Sequence, residues 1–473
     1  MGFKNNIILA NPTEADSDSD SKTESGYALA TVLILLSLIL VIIGFIIMMT
    51  ISHNRFIQKD IHQVKARYYA EAGINTFLSD PEYFRDSTRT SFELYLPDSV
   101  RVLIDRQQFG GFWRVKSTAM SSNQTKKIQV LIGATADTLY DNAIVMGDVN
   151  SALILTGKTS IQGVIISGTN GIQQRSFRGD PFTGTISGDN VRTDSTVFPA
   201  FNSQAIEQQL QNVTEPAISA PENATQLNTV QFNLQRYPES DSTYTFYANG
   251  NLTLDSRQQI RLYDETTFFV NGSLEIRDNI NLGEYSRFFV RDSVLIDGNV
   301  SGHQALIIAG KKIQVEGSPV FSSQLISGQQ VIIRGDSYLR YPSLVYVQSS
   351  VENGTKKGTI SLQETSVVDG YILLPDVSEL ITNDQSLVTI GEQALLRGGL
   401  YNTSKTELNG KVEGTVLTYQ FYFYHSPTDY LNWLKDSEVD RRARPSSFTI
   451  PLGFSEQPNF MILDYKERPA DDT

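Results

Sequence analysis

The sequence predicts a mainly β protein carried on one long N-terminal transmembrane α-helix. A small β-meander follows the helix, and a single-stranded, right-handed parallel β-helix (a solenoid) follows the meander. Three observations carry this reading: the uncharged apolar run Tyr27–Ile51, the short strand patterns between 92 and 133, and a strand–corner–strand unit recurring from Thr245 to Ile333. They divide the chain into a polar segment 1–26, a helix 27–80, a meander 81–137, a β-helix 138–420 with an insertion at 170–243, and a C-terminal cap 421–473.

Tyr27–Ile51 reads YALATVLILLSLILVIIGFIIMMTI. At about 1.5 Å per residue it spans roughly 37 Å, enough for a hydrocarbon core about 30 Å thick with some tilt. Thr31, Ser37 and Thr50 are tolerable there because each hydroxyl can bond back to a carbonyl one turn earlier. Beyond Ile51, apolar side chains recur at Ile57, Ile61, Val64, Tyr68 and Ala72, which is one face of a helix. Asp80-Pro81 stops it, since proline pushes the preceding residue out of the helical region. A helix to Leu78 would be roughly 78 Å long, more than an anchor needs.

The segment before the helix is short, polar and acidic, and it ends at Ser25-Gly26 with Tyr27 next. A secretory signal has a basic start, a short apolar core and a cleavage site after that core. The order found here resembles a type IV prepilin, whose leader is cut between Gly and the first residue of the apolar helix. The resemblance implies that a prepilin peptidase cuts between Gly26 and Tyr27. Most major pilins carry Glu at the fifth mature position, where this chain has Thr31; that departure fits a minor pilin or pseudopilin better. Tyr69-Ala70-Glu71-Ala72-Gly73 is similar to the Ala-Glu-Ala-Gly stretch of a minor-pilin group. The partners implied are other pilins or pseudopilins, packed through the N-terminal helix in a type IV pilus or type II secretion-like filament. The implied location is the bacterial inner membrane, single-pass, with the large domain in the periplasm or on the cell surface. The flanking charges point the other way: Lys22 precedes the apolar run, while Arg55, Lys59, Lys65 and Arg67 follow it. The positive-inside rule alone would hold the large domain in the cytoplasm. Without the resemblance, the same residues read as a plain signal-anchor helix with an amphipathic stalk.

Composition narrows the function classes. A net charge of −13 argues against nucleic-acid binding, which needs a basic face to replace counterions. Charged residues at 19%, with Ser, Thr, Asn, Gln and Gly abundant, suit an extracytoplasmic β-rich protein. The absence of cysteine excludes disulfides and thiolate metal sites.

Strands are expected at Val100–Ile104, Phe112–Lys116 and Lys127–Ile132, with turns at Gly110-Gly111 and Ser121-Ser122-Asn123. A long helix followed by such a meander is the order of a pilin-like subunit, and Trp113 reads as a packing residue. The repeat begins with Thr245–Leu254, echoed by Thr267–Ile276, Arg287–Ile296, Ala305–Val315 and Gln324–Ile333. Its corner moves through Gly250, Gly272, Asp292, Gly310 and Gly328, a period of about 20 residues, as in one coil of a β-solenoid. Alternation points one row inward, expected as Phe268, Phe288, Leu306 and Leu325. A propeller would need about forty residues per blade.

Weaker coils flank the repeat, from Ala143 to Gly168 before it and from Gly370 to Leu417 after it. Residues 170–243 lose the rhythm and read as an insertion, a cap or a flap, with one helix carrying Ile206, Leu210 and Val213 on a single face. The tail, with Phe421–Tyr424, Trp433 and the arginines 441, 442 and 444, reads as a cap on the last open coil with those arginines solvated, or as a docking surface.

Parallel β-helices that act on polysaccharides cluster Asp, Arg, Lys or His on one face. Here His303 lies beside a Ser-Gly corner, and Asp292 and Asp297 lie near Arg287; turn-making is the simpler role for each. His53 and His62 fall on the stalk, and His425 in the tail. No calcium loop, phosphate-binding glycine loop, nucleophile elbow or zinc spacing is present. Asn-x-Ser/Thr triplets at Asn212, Asn271 and Asn353 are the chance product of an Asn/Ser/Thr-rich chain. The expectation is therefore a non-enzymatic pilin-like subunit with no cofactor, displaying its β-helix toward a surface glycan or protein ligand. The alternatives are a membrane-anchored carbohydrate-active β-helix enzyme and a structural envelope protein that polymerises through its solenoid ends.

Overall fold

A computed structural model describes residues 21–84, 89–96, 100–136, 138–195, 198–214, 218–227, 244–352, 354–375, 383–454 and 459–468. Most of the polar segment 1–26, parts of the insertion 170–243 and parts of the tail 421–473 thus lie outside the described residues. The fold is mainly β, with one long N-terminal apolar helix and one large sheet of parallel strands. The chain divides into two compact units, residues 1–66 with 121–125, and residues 67–120 with 126–473.

Helix α1 runs unbroken from Ser21 to Ser79, 59 residues. Ser37 and Thr50 donate to the carbonyls of Ile34 and Ile46 at 2.7 and 2.8 Å, so the hydroxyls of the apolar run are satisfied within the helix itself. Asp80 ends it and caps the next turn: its Oδ1 accepts from the Tyr83 amide at 3.2 Å, and Pro81 opens the short helix α2, Pro81–Phe84. In the first unit, His62 Nδ1 meets Ser121 Oγ at 3.2 Å.

The second unit starts from the last turns of α1. Strands β1 (Ser91–Leu96), β2 (Val100–Phe109), β3 (Phe112–Ser121) and β4 (Gln124–Thr135) form an antiparallel meander. One face carries Val102, Ile104, Val115, Ile128, Val130 and Ile132, and it buries Ala70, Ile74 and Phe77 of α1. Trp113 packs on Phe77 and Phe460, with Arg106 stacked on its indole at 4.6 Å.

The largest sheet takes in 24 strands among the described residues. Its inward row runs Phe246, Phe268, Phe288, Ile307, Leu325, Val345, Ile372, Leu400 and Val416, each paired in parallel with the next. The first three phenyl rings stack at 5.1 Å between centroids, close to the spacing of neighbouring strands. At the corners Asn271 donates to Asn249 at 3.1 Å, and Asn251 accepts from the Ser273 amide at 2.9 Å.

The register departs from the sequence expectation at one residue. Phe288 pairs with Ile307, and Leu306 lies opposite Arg287 on the outward side. Leu306, Ile307 and Ile308 are all buried, Ile307 in the inner core and its neighbours under a second core that includes Phe109, Phe112, Leu131 and Ile206. A strand apolar on both faces carries no alternation from which to read its register.

The order of the strands differs too. The row does not end at Val416 but continues to Ile144 and then Ile165, so the first strands of the ladder stack beyond the last. Ile172–Gln174, Thr185–Ser187 and Asn190–Arg192 stay in parallel pairing as well, with Ile186 beside Ile161 and Asn190 beside Ile165, so the chain leaves the ladder only after Arg192. It then runs along the ladder's side. Tyr401 donates to the Pro199 carbonyl at 2.8 Å, and helix α3, Gln204–Thr214, buries Ile206, Leu210 and Val213, the face that the spacing predicts. Thr225–Leu227 pairs with Phe246–Ala248 at the opposite end.

The tail also lies elsewhere than on an open coil. Lys411–His425 and Glu438–Asp440 belong to the ladder and are covered by Ile144–Met146 and Ser160–Gln162. Thr449–Ile450 and Phe460–Arg468 pair antiparallel with β4 and complete the meander. The arginines are not all solvated: Arg441 and Arg444 both donate to the Tyr140 carbonyl, at 2.7 and 2.6 Å, and both approach Asp141.

Candidate functional site

Two places in the chain carry candidate functional residues: the N-terminal helix, and the junction between the meander and the ladder. On α1, Tyr27 and the apolar side chains that follow it to Ile51 are exposed. It is the one helix among the described residues long and apolar enough to cross a membrane, with a mean hydropathy of 3.3 in its most apolar part. Gly26 and Tyr27 lie inside α1, so the peptide bond between them is helical. Thr31 bonds back to the Tyr27 carbonyl.

The Ala70–Gly73 stretch joins the helix to the meander. Ala70 is fully buried, and Gly73 sits so close to β2 and β3 that a Cβ there would lie 2.4 Å from Ser117 Oγ and 2.7 Å from Val102 Cγ1. Ala72 is half-buried, and its carbonyl accepts from Thr76. Glu71 holds Arg67 at 3.1 Å and meets the Tyr465 hydroxyl at 3.4 Å, while Arg67 also approaches Glu467 at 3.6 Å. Glu71 thus ties α1 to the chain's last strand. Sequence spacing could not have paired residues so far apart.

At the junction, one buried carboxylate gathers several cations. Glu265 lies 3.2 Å from Arg114, 3.0 Å from Lys116 and 2.8 Å from Arg468. Burial works to raise its carboxyl pKa, but Arg114, Lys116 and Arg468 outweigh burial and hold it below the usual range. Beside it, Tyr285 donates to Asp464 Oδ2 at 2.6 Å, His303 Nε2 meets the same oxygen at 3.2 Å, and Ser322 Oγ lies 3.2 Å from His303 Nδ1. The bond to Asp464 raises the His303 pKa against the opposing effect of burial. Burial and then the Asp464 charge push the Tyr285 hydroxyl well up.

Ser322, His303 and Asp464 therefore stand in a row of serine, imidazole and carboxylate. Ser322 is 1% exposed, and its Oγ accepts from the Gln304 amide at 2.9 Å inside the wall. The other residues with catalytic potential are dispersed. Asp292 pairs with Lys311 at 2.6 Å, Arg287 donates to Thr267 at 3.0 Å, and Asp297 stands opposite Glu316 in the parallel register. His425 packs its ring on Phe177 at 5.2 Å. Among the described residues no group of three or more His, Asp or Glu side chains could hold a metal ion.

No family model matches this chain, and no curated protein matches it. Among solved structures, the competence-associated pilin ComZ from Thermus thermophilus is similar over 86% of this chain and 97% of its own, at 12% identity and a TM-score of 0.22.

Proposed function

We propose that this chain is a non-enzymatic, minor-pilin-like subunit, held in the bacterial inner membrane by α1 and built into a type IV pilus or type II secretion-like filament. The observation that carries this reading is the division of labour along one unbroken helix. Tyr27–Ile51 is uncharged and exposed, whereas Ala70, Gly73, Ile74 and Phe77 are buried under an antiparallel meander. A membrane anchor alone has no use for the second half, and the buried helix of a soluble domain would not leave the first half uncovered.

In this reading a prepilin peptidase cuts between Gly26 and Tyr27, and the exposed apolar surface packs on other pilins or pseudopilins. The parallel ladder is a right-handed β-helix, and its corners offer a periodic polar surface to a glycan or protein on another cell or matrix. A chain of 52.7 kDa crowds a helical array if it occupies every position, which favours the tip or sparse incorporation. The periplasmic side is the place for the second unit, against the pull of Arg55, Lys59, Lys65 and Arg67.

The test is N-terminal sequencing of the membrane fraction after co-expression with a prepilin peptidase. Wild type is expected to start at Tyr27, and Gly26→Ala to keep its leader. An uncut wild type, or a start elsewhere, sinks the pilin reading and leaves a signal-anchored β protein.

A further inference from the structure

At the junction between meander and ladder, three cations gather on one buried carboxylate. The protein carries −13 overall, yet Arg114, Lys116 and Arg468 all contact the Glu265 carboxylate. Arg287 is close enough to interact with both Arg114 and Glu265. Asp105 stands opposite Lys116 across β2 and β3, and the neighbouring carboxylates are engaged elsewhere: Asp264 and Glu284 hold Lys466, and Asp464 holds His303. The Glu265 carboxylate alone thus answers three direct cation contacts at a largely buried place.

A depression of about 430 Å³ opens here, lined by Arg114 and Lys116 together with Thr90, Asp105, Gln107 and Gln108. The Arg114 side chain is 5% exposed. Its Nη2 donates to Gln107 at 2.7 Å, but its Nε has no hydrogen-bond partner among the described residues. A buried guanidinium donor without an acceptor bears its full desolvation cost. Water would supply an acceptor but no charge, whereas an oxyanion supplies both, in the geometry a guanidinium fork prefers.

We propose that this depression is an oxyanion-binding site, in which Arg114 and Lys116 hold a phosphate, sulfate or carboxylate group. Its volume exceeds that of a bare ion and falls within the range of small-molecule sites, which begins at roughly 300 Å³. Gln107 can serve a hydroxyl group beside the anion, while Gln108 is committed to the Gly110 carbonyl and the Trp113 indole. Glu265 is the built-in competitor for the same cations. Its positive φ, 58, recurs in kind at Tyr285 and Gln304, so its backbone is set by the ladder's corner.

The experiment is calorimetric titration of the full chain in detergent with sodium phosphate and sodium sulfate, against sodium chloride at matched ionic strength. A second arm compares dextran sulfate with dextran. Saturable binding is expected; Lys116→Gln and Arg114→Gln should each weaken it about tenfold or more, and Glu265→Gln should tighten it by a similar factor. Circular dichroism of each variant confirms that it folds. Lys116, one-third exposed, is the variant least able to disturb folding. Binding of the free ions assigns a small solute. Binding of dextran sulfate alone, lost in Lys116→Gln, assigns an anion borne on a polymer. A simple ion-pair clasp predicts no saturable binding by wild type in either arm, and that result overturns the site. Binding left unchanged by both Lys116→Gln and Arg114→Gln overturns it as well.

Discussion

The side chain of Gln324 and the backbone of Gly111 are joined across the meander–ladder junction: Gln324 Oε1 accepts from the Gly111 amide at 2.7 Å, while its Nε2 donates to the Phe109 carbonyl at 2.8 Å. One amide thereby satisfies both sides of the β2–β3 turn. Gly110, at φ 60 between them, has room for nothing larger than hydrogen, since a Cβ would lie 2.1 Å from Gln324 Oε1.

Gln324→Ala leaves a buried donor and a buried acceptor without partners. We expect a loss of about 2–3 kcal/mol in stability. The half-buried Gln314→Ala should stay within about 0.5 kcal/mol. Thermal unfolding of the detergent-solubilised chain measures both, and equal effects would mean that Gln324 does not secure the turn.

The stacked row makes a second prediction. Phe288→Ala removes a ring from the middle of a continuous core and should cost roughly 3–5 kcal/mol, against about 0.5 kcal/mol or less for Ser293→Ala at the neighbouring corner. The register can be tested in the same series. Phe288→Ala combined with Ile307→Val should be non-additive because the two side chains share a row, whereas Phe288→Ala combined with Leu306→Val should come closer to additivity. The reverse pattern would restore Leu306 to the inward row.

A third prediction concerns pH. Asp464 raises the His303 pKa, with Glu284 acting in the same direction and Lys466 opposing it. A raised folded-state pKa stabilises fully below the unfolded histidine value of about 6.5, and that contribution fades as pH rises through the folded value. Asp464 behaves oppositely: burial works to raise its pKa, but its bonds to His303 and Tyr285 outweigh burial and lower it, and its contribution is lost as pH falls through the depressed folded value. His303 is 45% exposed, so the effect should remain under about 1 kcal/mol. Protection of the Phe460–Arg468 amides, taken relative to intrinsic exchange at each pH, should fall in wild type as pH rises from about 6.5 through the raised His303 value. His303→Gln should flatten that dependence; an identical slope in the variant would assign the titration to another group.

The sequence by itself determined what depends on neighbours along the chain. An uncharged run such as Tyr27–Ile51 can only be a helix in an apolar medium, because every backbone group must be satisfied within the segment. A recurrent Phe-bearing strand (TFYA, TFFV, RFFV) followed by a Gly or Asp corner similarly favours parallel stacking of its copies, since each strand buries its row on the next. The Ala70–Gly73 stretch was legible as a feature of the helix, but its partners on β2, β3 and Phe460–Arg468 were not. Only the tertiary structure decided which coil meets which: Ile144 lies beside Val416 and not beside the repeat that follows it in the chain. It also decided that Leu306 faces outward, that Phe460–Arg468 completes the meander, and that Arg114, Lys116 and Arg468 converge on Glu265. The reason is physical. Periodicity records the environment each residue repeats locally, whereas strand order, register between two apolar faces and charge pairing are settled by contacts between segments hundreds of residues apart, which leave no period in the sequence.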